Sequence, residues 1–206
     1  MTDPTQAPSP EPATPPPATT GWAAPPPPIQ AGPAGFVYAD VPNRAIAYII
    51  DAIIVGIVVG IINAILGGVG LQSATVEPGT LNISINIVGL IVSAIIGAAV
   101  SAAYFVYMWT SMRATIGMRV LGMQIGNAGD GKTLTMDQGL RRWLIIAAPG
   151  LLSQVLIVVP AIGFLLAIVS LGWFIYLVYT TAKSPTKQGF HDVFAHTQVV
   201  KAARSA

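Results

Sequence analysis

The uncharged stretch of residues 143–181 sets the strongest limit on the fold of this chain. It contains no Asp, Glu, Lys or Arg over 39 residues, whereas one helix needs only about 20 apolar residues to cross a bilayer core. Pro160 and Gly163 lie near its middle, and proline interrupts a helix because it lacks a backbone donor and crowds the preceding turn. The pattern favours a helical hairpin with spans at 143–159 and 162–181.

Two earlier segments also have the length and composition of membrane spans. Residues 45–66 contain a single charge, Asp51, and residues 85–110 contain none. The chain is 53% hydrophobic and 9% charged, whereas a soluble domain has roughly 25% charged residues. The sequence therefore predicts an all-α integral membrane protein that lies in a lipid bilayer.

The distribution of Lys and Arg decides between four spans and three. The three-span alternative makes 136–149 an interfacial helix, followed by one long tilted span. Basic residues occur in the loop 111–142 and after residue 182, whereas the loop 67–84 has none. Because Lys and Arg near span ends stay on the cytoplasmic side, we predict four spans with both termini in the cytoplasm.

The parts outside the spans have two distinct compositions. Residues 1–42 hold thirteen of the seventeen prolines, so we predict a disordered Pro-rich tail over 1–40, ahead of a transmembrane domain over 41–201. The tail has neither a basic n-region nor an apolar h-region, so it is not a cleavable signal peptide.

Between the second and third spans, "MRVLGMQIGNAGDGKTLT" alternates β-prone segments with turn residues. It predicts a small cytoplasmic β-hairpin, to which "TQVVKA" near the C-terminus adds a third strand. Thr135 and Gln138 have the spacing of a capping box that opens the next helix.

Small residues recur every four positions on two of the spans. This interval lets helix backbones approach closely, within one chain or in an oligomer. The residues are Gly56 and Gly60 on the first span, and Gly89, Ser93, Gly97 and Ser101 on the second.

Asp51 is the one charge inside a predicted span. It lies six residues past Ala45, about 9 Å into the helix, and shares a helical face with Arg44 and Tyr48. A charge at that depth costs several kcal/mol unless it is paired. Arg44 is about 10 Å away along the axis, and the alternative partners are Arg141 and Arg142. Asp51 is either half of a structural ion pair or a carboxylate in an ion pathway.

Other classes of function find little support in the sequence. "GNAGDG" lacks the ending of a phosphate-binding loop, and no nucleophile stands at a recognisable spacing from His191. The chain has no cysteine and two histidines, which disfavours zinc. A net charge of +2 without a basic, aromatic-interleaved run argues against nucleic acid. We expect no enzyme activity, cofactor or metal.

Three stretches together resemble the RDD family of small prokaryotic membrane proteins, named for one arginine and two aspartates. They are "NRAIAYIIDAIIV", "SMRATIGMRVLGMQIGNAGDGKTLTMDQGLRRWL" and "KQGFHDVFAHTQVV". Arg44, Asp51 and Asp192 are identified as the name-giving residues, and the resemblance covers about 36–201. The sequence departs from the family at "SMRATIG" and at His196, where a glycine is common.

The resemblance implies a transport-related protein of the prokaryotic plasma (inner) membrane, with cation/proton coupling as one form of that role. Asp51 would then be the exchanging carboxylate, its charged form favoured by Arg44, and Asp192 would lie at the cytoplasmic mouth. Four short spans make a thin pore wall, so a homo-oligomer or a larger membrane complex is expected. The alternative is a non-transporting accessory or scaffold subunit of such a complex.

Overall fold

The computed structural model describes residues 35–71, 74–76, 78–79, 83–156 and 160–202. Of the tail predicted over residues 1–40, residues 1–34 therefore lie outside the described part of the chain. The helices are α1 (Val41–Gly68), α2 (Ile87–Ser111), α3 (Ile116–Val120), α4 (Met136–Leu156), α5 (Pro160–Lys183) and α6 (Phe190–Phe194). The strands are β1 (Ala74–Val76), β2 (Ile83–Ile85), β3 (Met123–Asn127) and β4 (Thr197–Lys201).

Three described helices are long and apolar enough to cross a membrane. They are Val41–Gly68, Ile87–Ser111 and Ile162–Lys183, and they overlap the segments predicted at 45–66, 85–110 and 162–181. Together with their almost continuous apolar surface, they make this chain a helical membrane protein.

The helix α4 differs from both sequence-based alternatives. It runs without a break from Met136 to Leu156, although Pro149 lies inside it. The predicted interfacial helix and much of the predicted third span are therefore one element. Because proline has no N–H, Pro149 leaves the Ile145 carbonyl one turn earlier without its helix partner, and the Ser153 hydroxyl donates to the Pro149 carbonyl itself at 2.6 Å.

The helices α4 and α5 form an antiparallel pair. The Trp173 indole donates to the Ile145 carbonyl at 2.8 Å, and the Ser153 and Ser170 hydroxyls lie 3.0 Å apart. As the residue number rises on one helix it falls on the other. The helix α2 packs on the other side of α4, where the Trp143 indole donates to Ser101 Oγ at 3.0 Å.

The β element is present, but it pairs differently from the predicted hairpin. The strand β3 pairs antiparallel with β4, from Met123–Lys201 to Asn127–Thr197, and residues 131–135 form no strand. Ile125 and Val199 are both almost completely buried, so β4 gives β3 an apolar partner that "GKTLT" cannot. The first three residues of the quoted segment, 118–120, belong instead to α3, whose start Thr115 caps by accepting from Met118 N.

Other local features fit the sequence more closely. Thr135 N donates to Gln138 Oε1 at 3.1 Å and Gln138 N donates to Thr135 Oγ1 at 3.3 Å, so the predicted capping box forms. The predicted polar loop between the first two spans also contains a short antiparallel pair, β1 with β2.

One end of the bundle collects nearly all the polar structure. The starts of α1 and α4, the ends of α2 and α5, and the elements α3, α6, β3 and β4 meet there through direct contacts. We call it the polar end. Every Lys and Arg among the described residues belongs to it.

The two stripes of small residues have different surroundings. On α2, Gly89 and Gly97 are buried, Ser93 is half-buried, and Ser101 binds the α4 indole described above. On α1, Gly56 and Gly60 are exposed, and a Cβ at either would meet nothing within 4 Å. The α2 stripe therefore serves packing within the chain, whereas the α1 stripe faces outward.

Gly117 marks the closest approach of α3 to α1 and gives a test of the fold. A Cβ at Gly117 would lie 2.3 Å from the Ala47 carbonyl oxygen, a backbone atom that cannot rotate away. We expect Gly117→Ala to destabilise the protein by about 1–3 kcal/mol or more, measured as a lower thermal unfolding midpoint in detergent. The control is Gly172→Ala on α5, where a Cβ meets nothing within 4 Å. Equal midpoints for the two variants would contradict the packing of α3 on α1.

Candidate functional site

Asp51 is buried at the polar end, with 2% of its surface exposed. Its carboxylate accepts three hydrogen bonds: from Tyr104 Oη at 2.7 Å, from Thr115 Oγ1 at 2.5 Å and from Gly117 N at 2.8 Å. An ionised carboxylate only accepts hydrogen bonds, so this set of donors suits its charged form.

The neighbouring contacts fix the direction of these hydrogen bonds. Tyr104 Oη accepts from Ile116 N at 3.3 Å, and Thr115 Oγ1 accepts from Met118 N at 3.2 Å. Each hydroxyl thus has its proton free to donate to Asp51. Because these donors come from α2 and from the start of α3, Asp51 joins both elements to α1.

None of the arginines considered as partners contacts Asp51. Arg141 forms an exposed pair with Asp137 at 2.9 Å, one turn away on α4. Arg44 and Arg142 both bind Asp192, and no salt bridge to Asp51 occurs within the part of the chain that is described. Neutral donors therefore take the place of the expected counter-ion.

The second buried carboxylate, Asp192, is shared by two arginines. It has no exposed surface, and Arg44 Nη2 binds one oxygen while Arg142 Nη1 binds the other. Gly189 N donates to it at 3.0 Å, and Thr197 Oγ1 lies 3.2 Å from Oδ1. We call Arg44, Asp192 and Arg142 the triad.

The triad ties together three elements that are distant in sequence. Arg44 lies on the first turn of α1, Arg142 on the second turn of α4 and Asp192 on α6. Arg44 also donates to the Lys187 carbonyl, and the Arg142 guanidinium lies over the Trp109 ring, 5.1 Å from its centroid. The fold buries both Asp192 and its neighbour His191.

Burial and the nearby charges together determine the protonation states of Asp192 and His191. Burial alone would raise the pKa of the Asp192 carboxyl, but the positive charges of Arg142 and Arg44 outweigh it and hold that pKa well below its usual range. Burial lowers the pKa of His191 to about 3, an effect that the nearby arginines strengthen and Asp192 opposes. At neutral pH, Asp192 is charged and His191 is neutral.

A cavity of about 90 Å³ lies between the triad and Asp51, with room for several waters. Most of its wall is apolar, from α1, α2, α4 and α5. The polar residues that line it are Arg44, Asp51, Thr115, Arg142, Thr181 and His191. Residues from both ends of the sequence therefore meet around one cavity.

Sequence analysis missed several residues that complete the site. Thr115 carries a local signal, since threonine before a short helical segment is a common N-cap. Tyr104, Trp109 and Thr197 carry none, because their roles arise only when distant elements pack together. Gly117 also carries no signal in the sequence, because glycine is required there only by the close approach of the Ala47 backbone.

These features define a class: a polytopic helical membrane protein whose polar end is closed by buried carboxylates around a small cavity. Residues 38–196 match the sequence model of the RDD family, more than three quarters of the chain. The chain belongs to the RDD family, as the resemblance of its three motifs predicted. No match was found among curated proteins or among solved structures.

The triad predicts a large difference between two aspartate-to-asparagine variants. Asp192→Asn leaves two buried guanidiniums without a counter-charge, so we expect a loss of about 3–5 kcal/mol in stability, measured by thermal or denaturant unfolding in detergent. The matched control is Asp137→Asn, whose ion pair with Arg141 is half exposed on both sides and contributes about 0–1 kcal/mol. Similar losses for the two variants would show that Asp192 is not the shared counter-charge.

Proposed function

We propose that this protein takes part in transport across a prokaryotic plasma membrane and exchanges a cation or proton through the cavity beside Asp51. The observation that supports this function is the convergence of Arg44, Asp51, Arg142 and His191 on one cavity inside a helical bundle. Ionisable residues within membrane segments face cavities and commonly mark ion pathways.

Asp51 retains a place for such an ion. Its Oδ1 accepts two hydrogen bonds, from Tyr104 and Gly117, whereas its Oδ2 accepts one, from Thr115. Since each carboxylate oxygen has two lone pairs, Oδ2 keeps one acceptor position. A proton or small cation arriving through the cavity would bind there.

The pairing of α4 with α5 supports four membrane crossings. The start of α4 and the chain after α5 meet at the triad, so both lie at the polar end, and only three residues separate the other ends of these helices. If α5 crosses the bilayer, α4 must cross it too. The 14 uncharged residues of α4 after Arg142 extend about 21 Å at 1.5 Å per residue, most of the roughly 30 Å of a hydrocarbon core.

The orientation follows from charge. The polar end holds every described Lys and Arg, and the loop between α1 and α2 has none. We therefore assign the polar end and both termini to the cytoplasm.

Labelling of introduced cysteines tests this topology, because the natural chain has none. We expect a membrane-impermeant maleimide to label Pro78→Cys and Pro160→Cys in intact cells. Asp130→Cys, in the turn after β3, should react only after permeabilisation. A denatured sample of each variant controls for thiol reactivity. If Pro160→Cys behaves like Asp130→Cys, the four-span topology is wrong.

A homo-oligomer fits this function. Four helices enclose little space, and the exposed Gly56 and Gly60 give α1 a surface on which another helix can pack closely.

Flux measurements test the transport function directly. We expect liposomes containing the protein to exchange sodium or potassium for protons when a pH gradient is imposed, and Asp51→Asn to lower that flux at least tenfold. Asn keeps the shape of the side chain but cannot carry the charge. The control, Asp137→Asn, changes an exposed aspartate of the same polar end and should retain the wild-type flux.

Two results would count against this function. Flux no greater than in empty liposomes excludes cation exchange. Flux that survives Asp51→Asn assigns that carboxylate a structural role.

The second candidate is an accessory or scaffold subunit without transport activity. The three hydrogen-bond donors around Asp51 favour this second candidate, since their bonds hold α1, α2 and α3 together, which is a structural role. This function predicts no flux together with a stable larger membrane complex, seen by size-exclusion chromatography of the extracted native protein.

A further inference from the structure

The mouth of the cavity lies between α1 and α5. The lining residues on α2, α3, β3, β4 and α6 are buried. The partly exposed ones, apart from Ile146 on α4, are Val41, Arg44, Ala45 and Tyr48 on α1, and Phe174 and Val178 on α5. Both helices are apolar segments of spanning length. The mouth therefore faces the lipid near the polar end of the bundle.

The polar part of the cavity wall has more positive charge than Asp192 neutralises. It also has more hydrogen-bond donors than the nearby acceptors satisfy. Arg44 and Arg142 share the single carboxylate of Asp192. Within the described residues, Arg142 Nε and Trp109 Nε1 are buried without a hydrogen-bond partner. A buried donor without a partner is costly, so a molecule that brings negative charge and acceptor atoms would stabilise this wall.

Asp51 forms no salt bridge with these arginines, which both pair with Asp192. It is seven residues from Arg44, about 10 Å along the axis of α1, and its hydrogen bonds come from Tyr104, Thr115 and Gly117. His191 also lines the cavity, with Nδ1 buried and unpartnered. Its pKa of about 3 leaves it neutral, so it neither repels nor replaces an anion at neutral pH.

The apolar part of the cavity wall indicates what kind of molecule carries the anion. From the mouth inward, the cavity is bordered by apolar side chains, among them Phe174, Leu177, Val178 and Ile146. A free hydrated anion would lose hydration along this path and gain nothing from its apolar walls. An anion at the end of a hydrocarbon chain would bury that chain favourably on the same surface.

We propose that the cavity binds the oxyanion head of an amphiphile, a carboxylate or phosphate monoester on an acyl chain, that enters from the lipid between α1 and α5. The head lies beside Arg142 and Trp109, and the chain leaves past Ala45 and Val178. A volume of about 90 Å³ accommodates a head of this size. The proposal does not depend on the transport function.

Native mass spectrometry of the full chain in a neutral detergent tests this site with oleate and oleyl phosphate as probes. We expect one bound probe per chain at saturation. Oleyl alcohol, which has the same chain and no charge, should bind at least tenfold more weakly. Acetate and inorganic phosphate, which have the charge and no chain, should also bind at least tenfold more weakly.

Two pairs of variants locate the site. Ala45→Phe on α1 and Val178→Phe on α5 fill the mouth and should each lower oleate binding at least tenfold. Their controls are Ile49→Phe and Ile175→Phe on the same helices, at positions 52% and 57% exposed, which should bind oleate as the wild type does.

Each measurement can overturn the proposal. Equal binding of oleyl alcohol removes the need for an anionic head, and equal binding of inorganic phosphate or acetate assigns the site to a soluble anion. Unchanged binding in both mouth variants places oleate elsewhere. The comparison of probes on the wild type decides the question even if a mouth variant fails to fold. Absence of flux in liposomes leaves these expectations unchanged, so the two proposals fail independently.

Discussion

The fold of the polar end depends on one carboxylate shared by two arginines. Removing two guanidiniums from water is costly unless a counter-charge and further hydrogen bonds compensate. Asp192 provides that charge to Arg44 and Arg142, while Thr197, the Lys187 carbonyl and the Trp109 ring satisfy other parts of the two guanidiniums. Because the two arginines lie near the starts of α1 and α4, this interaction sets how those helices meet the last segment of the chain.

The second carboxylate uses a different kind of compensation. Asp51 is held by a phenol, a hydroxyl and a backbone amide, and these donors anchor the short helix α3 against α1. Gly117 contributes to this anchoring in two ways. Its amide donates to Asp51, and its lack of a side chain leaves room for the Ala47 carbonyl. The cavity lies between these two carboxylates, so the interactions that hold the fold also shape the cavity.

The features predictable from sequence were those that depend on local composition. Apolar runs predicted three helices of spanning length, and Thr135 with Gln138 predicted a capping box. The charged contacts were harder to predict, because Arg44 and Asp192 are 148 residues apart and no periodicity in the sequence connects them. The hairpin prediction failed for the same reason: β3 pairs with a strand some 70 residues later, chosen by the burial of Ile125 and Val199. The family motif was more informative, since it grouped Arg44 with Asp192. His196, where a glycine is common, has a left-handed φ of 53°, which explains that preference.

The order of charges along the chain has a consequence for assembly. Arg44 and Arg142 precede Asp192 by 148 and 50 residues, and Asp192 comes after α5. During synthesis from the N-terminus, both arginines are made before the carboxylate that neutralises them. Burial of either guanidinium before Asp192 is made would leave it unpaired. The polar end can therefore close only after the segment that follows the last apolar helix has been synthesised.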